Sequence, residues 1–187
     1  MQHCYFCGSR DLRDSTEVLR TSLPSSGIRA SARVPALRCA ACSESYVWGT
    51  HMEAFDLALS RELAARAVCT GEALRFMRTS LGLRAADLAR LLDVTPETCS
   101  HWETGKAAVP RAPFAVVAAL VDDALEGRTS TRSRLERLAS PGPRPKVLRP
   151  RLDLAARPPR LRARGPRAAS AGAPRARRPR LDTPRPP

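Results

Sequence analysis

Two Cys-x-x-Cys pairs constrain this chain more than any other feature: Cys4 and Cys7 in HCYFCG, and Cys39 and Cys42 in LRCAACSES. The pairs are separated by 31 residues that read as a hairpin. Two knuckles closed by such a hairpin offer four sulfurs to one tetrahedral metal, at about 2.3 Å each for zinc. A lone pair would leave redox chemistry open, as in a dithiol beside a βαβ unit. Here there are two pairs and no βαβ pattern. A disulfide framework suits exported chains. The N-terminus lacks the charged, apolar and small-residue layout of a secretory signal. The expectation is one structural Zn2+ held by Cys4, Cys7, Cys39 and Cys42, with no coordination position left for water or substrate. His3 adjoins the first knuckle as an alternative ligand that four thiols make unnecessary. Cys69 and Cys99 have no such partner and read as small buried residues.

Between the pairs, STEVLRTS and GIRASARV flank the turn-rich LPSSG, as in a β-hairpin. In the second arm Ile28, Ala30, Ala32 and Val34 alternate with polar residues, the signature of one half-buried face. SYVWG after Cys42 reads as a further short strand. Thr50 and Glu53 have capping-box spacing and predict a helix through about Val68. From Thr70 onward the pattern is helical: GEALRFMRTS ending near Gly82, AADLARLL, PETCSHWET, and PFAVVAALVDDALE running to Gly127. STRSRLERLAS, with Ser133 and Glu136 at capping-box spacing, predicts a short last helix docking through Leu135 and Leu138.

The net charge of +14 over 187 residues resembles a nucleic-acid footprint, but its placement matters. Residues 128 to 187 hold 18 of the 32 Lys and Arg against three acids, a balance of +15, whereas residues 1 to 127 balance at −1. The same C-terminal stretch holds 12 of the 17 prolines. Missing backbone donors and like-charge repulsion oppose collapse, so residues 141 to 187 are expected to be a disordered basic tail. No run of about 18 apolar residues occurs, so no membrane span is expected; six cysteines without an export signal make a reducing, cytoplasmic setting the default.

The fold class expected is therefore α+β. A small Cys4 zinc-binding hairpin domain (1–49) is followed by a connecting helix (50–69), an all-α helix-turn-helix domain (70–140) and the tail (141–187). AADLARLL and PETCSHWET have helix-turn-helix proportions. Thr95 is the N-cap of the second helix, Pro96 its first residue, and Gly105 closes it. Asp93 occupies the intervening turn, where left-handed geometry is tolerated by Asp. At 100° per residue Thr95, Cys99 and Trp102 share one side and pack on Leu88, Leu91 and Val94. Glu97, Ser100, His101 and Thr104 share the other. The second side would lie in a major groove, Glu97 accepting from cytosine and His101 donating to guanine or a phosphate. Thr95 and Thr98, in the first turn, complete the candidate DNA-contacting set on this helix. Arg84, Lys106 and Arg111 are candidate phosphate contacts.

These features together resemble a known family. A Cys-x-x-Cys zinc finger of the YgiT type ending in VPALRCAAC, followed by an Xre/Cro-like helix-turn-helix ending in HWETGKAAVP, is similar to the MqsA-type antitoxins over roughly residues 1 to 127. The resemblance implies that the zinc domain binds a ribonuclease toxin. It also implies that the helix-turn-helix domain forms a homodimer on a palindromic operator in double-stranded DNA and represses transcription. The chain departs from that pattern at Glu97 and His101, where Asn and Arg are usual, at Ala85, where Gln is usual, and in its tail. A solitary transcription regulator of the same architecture, without a toxin, is the alternative. An enzyme is not expected, since no catalytic motif accompanies the saturated metal site.

Overall fold

The computed structural model describes residues 3 to 140 and Gly142. The rest of the expected tail lies outside the described residues. Strand β1 (Leu12–Leu23) and strand β2 (Ile28–Cys39) pair antiparallel along their whole length, from Leu12 opposite Cys39 to Leu23 opposite Ile28. Strand β3 (Ser45–Val47) pairs with the other edge of β2, giving the order β1-β2-β3. A 3-10 turn at Pro24–Ser26 joins the two long arms, and Gly27 closes it in the left-handed region at φ 65°. The alternation read in the second arm holds. Val34 is buried and Ile28, Ala30 and Ala32 are half-buried, while Arg29, Ser31 and Arg33 face solvent.

Helix α1 (Gly49–Ala65) lies against β2, with His51 Nδ1 3.2 Å from the Pro35 carbonyl. Its start corrects the Thr50 capping box. The N-cap is Trp48, whose carbonyl accepts from the His51 and Met52 amides, and no side chain caps the helix. The tight exit from β3 already fixes the first turn, so the helix begins two residues before a Thr50 cap would start it. It also ends short of Val68, because Ala67 turns left-handed (φ 52°) and the Val68 amide returns to the Leu63 carbonyl.

Five helices follow: α2 (Gly71–Ser80), α3 (Ala85–Leu91), α4 (Pro96–Glu103), α5 (Arg111–Leu125) and α6 (Ser130–Ala139). Leu74, Met77, Leu88, Val117 and Val121 form their shared interior. Leu23, from the tip of the hairpin, belongs to the same cluster and is almost wholly buried. Polar contacts seat the tip. The Ser26 amide donates to Glu72 Oε2 at 3.0 Å, and its hydroxyl lies 2.8 Å from that of Thr70, itself the N-cap of α2. The expected α+β class is borne out, with sheet and helices meeting in one hydrophobic core inside the unit Met1–Arg144.

One ion pair sits within this apolar interior. Arg78 of α2 meets Glu103 at the end of α4 through two parallel bonds, Nε to Oε1 at 2.6 Å and Nη2 to Oε2 at 2.9 Å. The side chains are only 10% and 7% exposed. The third guanidinium arm donates to the Leu83 carbonyl at 2.6 Å, so one side chain links α2, the α2–α3 turn and α4. Close by, a Cβ on Gly71 would lie 2.0 Å from the Trp102 carbonyl oxygen, so only glycine lets α2 begin against the end of α4.

Helix α6 also starts earlier than its sequence capping box indicated. Its N-cap is Thr129, which supplies no side-chain bond, and Ser133 lies inside the helix. The capping role passes to Asp123 of α5, which accepts from the Thr131 amide at 2.6 Å and from the Ser130 hydroxyl and the Arg128 guanidinium. Leu135 packs against the core as expected, whereas Leu138 is largely exposed.

Two outcomes follow from these contacts. Glu103→Ala strands a buried guanidinium and should cost about 3–5 kcal/mol in urea unfolding, whereas the apolar pair Arg78→Met/Glu103→Leu should recover most of that loss. Asp123 is held at about 2, below the ordinary 3.8, first by the Thr131 amide and then by its other donors. Its folded pKa is depressed, so its contribution is present above the ordinary value and is lost as pH falls towards the folded one. Amide protection factors across α6 should therefore fall between about pH 4 and 2, and Asp123→Asn should remove that acid step.

Candidate metal centre and nucleic-acid interface

The two cysteine pairs build the same turn twice. In the first, the Cys4 amide donates to the Ser9 carbonyl at 2.7 Å and the Gly8 amide to the Cys4 carbonyl at 2.9 Å. In the second, Cys39 and Glu44 pair at 2.8 Å and Ser43 returns to Cys39 at 2.9 Å. The residue after each second cysteine turns left-handed, Gly8 at φ 76° and Ser43 at φ 62°. The full register of the hairpin brings its ends together, and the Ala40 amide bonding to the Asp11 carbonyl at 3.0 Å fixes the second knuckle beside the first.

The four sulfurs lie within 4.8 Å of one another, and Cys4–Cys42 and Cys7–Cys39 are both 3.6 Å apart. A tetrahedron with bonds of about 2.3 Å has edges of about 3.8 Å, so the donor set has the size a four-sulfur metal site needs. Cys4, Cys7, Cys39 and Cys42 can therefore hold a metal ion. His3 is exposed and stacks edge-on against Tyr5, outside the group.

The surroundings also favour a cation. Tyr46 sets its hydroxyl 3.0 Å from Cys4 Sγ and, with burial opposing, draws that thiol down to about 6. The same phenol oxygen accepts from the Tyr5 amide at 3.0 Å. At Cys42 the Glu44 amide favours the thiolate, but burial and the three neighbouring sulfurs outweigh it and push the thiol up to about 12. Successive ionisation within such a cluster is costly unless a positive ion neutralises it.

Within the helical body α3 and α4 form the helix-turn-helix. Asp93 takes the left-handed conformation read from the sequence (φ 55°), and the Val94 amide closes on the Ala89 carbonyl. The Thr95 hydroxyl accepts from the Thr98 amide at 3.1 Å and caps α4. Cys99 and Trp102 point into the core, and burial pushes the Cys99 thiol upward. Thr95 does not join them: an N-cap is extended rather than helical, and its side chain is exposed. Glu97, Ser100, His101 and Thr104 are exposed on the opposite side, and Thr98 is half-buried. Lys106 and Arg111 are exposed in the segment after α4. Arg84 is exposed and bonds Asp87 at 2.9 Å, so a phosphate would compete with that carboxylate.

Sequence reasoning missed the Arg78–Glu103 pair that holds this helix. The available signal was Glu103 itself, four residues after Cys99 and therefore on the inward face.

A family model described as a helix-turn-helix domain matches residues 70–126. No curated protein and no solved structure matches the chain. The matched stretch runs from the N-cap of α2 to the C-cap of α5 and contains both helices of the motif.

Cobalt(II) titrated into metal-free protein should bind one ion per chain with thiolate-to-metal absorption, and Cys39→Ser should lose that spectrum and the stability that comes with the metal. Full binding by the variant would sink the four-sulfur assignment.

Proposed function

We propose that this chain is a transcriptional repressor that reads double-stranded DNA through α4 and carries one structural zinc ion on Cys4, Cys7, Cys39 and Cys42. The carrying observation is the capped helix α4, whose exposed face bears Glu97, Ser100, His101 and Thr104 within the stretch that matches a helix-turn-helix domain. Short polar groups on the N-terminal half of such a helix reach base edges in the major groove. Lys106 and Arg84 flank the helix as phosphate contacts, with Thr95 and Thr98 at its N-terminal end. Zinc suits four thiolates in a closed tetrahedral set, where it has a structural role. The reading is of a binding protein rather than an enzyme.

The finer assignment is an antitoxin of the MqsA type, acting as a homodimer on a palindromic operator and binding a ribonuclease toxin through its cysteine-bearing end. Its support is the order and spacing of motifs, together with the exposed Tyr5, Phe6 and Trp48 around that end. Exposed aromatics of this kind are common at protein interfaces. A toxin reading frame beside this gene, and its product co-purifying with the chain, would separate this assignment from a solitary regulator.

Selection from a random DNA pool tests the reading helix. Wild type should enrich a palindrome with half-site centres roughly 34 Å apart. Glu97→Ala/His101→Ala should lose discrimination worth about 1–3 kcal/mol per base contact, and Lys106→Ala should weaken all sequences alike. Enrichment of the same palindrome by the Glu97/His101 variant would show that another surface reads the bases.

A further inference from the structure

Among the described residues no element covers one long face of α5, where Arg111, Ala115 and Asp122 are exposed and Ala118 is half-buried. Arg111, Ala115, Ala118 and Asp122 follow one another along α5 at intervals of four, three and four residues. At 100° per residue they fall within about 60° of each other, on the side turned away from the buried Val117, Leu120 and Val121. A groove of about 670 Å³ runs along this face between α5 and the end of α1, with Phe114 in its floor and Ala64 and Ala67 on its far wall. Arg111 and Asp122 also line it, and among the described residues neither makes an ion pair.

The charges stand in the wrong places for their own helix. A helix favours anions at its N-terminal turn and cations at its C-terminal turn. Helix α5 opens with Arg111 and carries Asp122 near its end, with no acid in the first turn and no base in the last. An antiparallel copy of the same helix reverses both penalties.

We infer that this face of α5 is the seam of a two-fold dimer, with Arg111 of one copy set against Asp122 of the other. The spacing of four, three and four reads the same in either direction. An antiparallel pair about an axis between Ala115 and Ala118 therefore places each Arg111 opposite an Asp122 and each Ala115 opposite an Ala118. A two-fold interface requires such self-complementarity, residue i meeting j while j meets i. Alanine at the crossing lets helix axes approach to about 8 Å, the near end of the usual range, which brings the end charges within reach. The seam gives Arg111 a protein partner instead of a phosphate. It deepens the repressor reading by naming the surface that would pair two reading helices.

Sedimentation velocity of the full chain over a concentration series tests the seam without DNA, so failure of the DNA reading leaves it standing. Wild type should be a dimer. Asp122→Arg sets arginine against arginine and should weaken association about a hundredfold, and Arg111→Asp should do the same from the other end. Arg111→Asp/Asp122→Arg restores opposite charges in exchanged positions and should recover the dimer. Circular dichroism and thermal melting check that each variant keeps the helical fold, which the exposure of both positions allows. A wild-type monomer at every concentration, single variants that associate like wild type, or a folded double variant that stays monomeric would each overturn the seam.

Discussion

The two parallel bonds between Arg78 and Glu103 fix where α4 stands, and the face it presents depends on them. Helix α4 is only eight residues long, too short to persist alone, and its single large apolar anchor is Trp102. Two charges taken out of water are tolerated because each carboxylate oxygen receives its own N–H and the remaining guanidinium arm finds the Leu83 carbonyl. Among the described residues no buried side-chain nitrogen or oxygen lacks a partner. The directional bonds hold the end of the helix where hydrophobic contact alone would leave it free to slide.

The hairpin carries that order in the opposite direction. Its twelve matched pairs run from the cysteine knuckles to the tip, where Leu23 enters the helical core and Ser26 bonds to Thr70 and Glu72. A register shift of one residue would turn Ile28, Ala30, Ala32 and Val34 outward and separate Leu12 from Cys39. One register therefore satisfies both ends. The cysteine cluster and the core are linked by the same strands.

Much of this was legible in the residues. The paired cysteine motifs, the alternation in β2, Asp93 in its turn and the Thr95 cap all lie in short stretches whose physics is local. The missed items depend on distant neighbours. Thr50 and Ser133 have the right spacing for caps, but the tight exit from β3 and the Asp123 carboxylate reached those helix starts first. Glu103 falls on the inward face with Cys99, but nothing in HWETG states that Arg78 lies opposite.

The sequence by itself determined which segments are strand, turn and helix, and which four thiols belong together, because periodicity, left-handed turns and ligand spacing act within a few residues. Only the tertiary structure decided which residues finish those elements and lock them together. Leu23 joins sheet to helices, Asp123 caps a helix it does not belong to, and Arg78 finds Glu103 in an apolar interior. A buried polar group must be satisfied by whichever partner the fold delivers, and that partner can be far away in the chain.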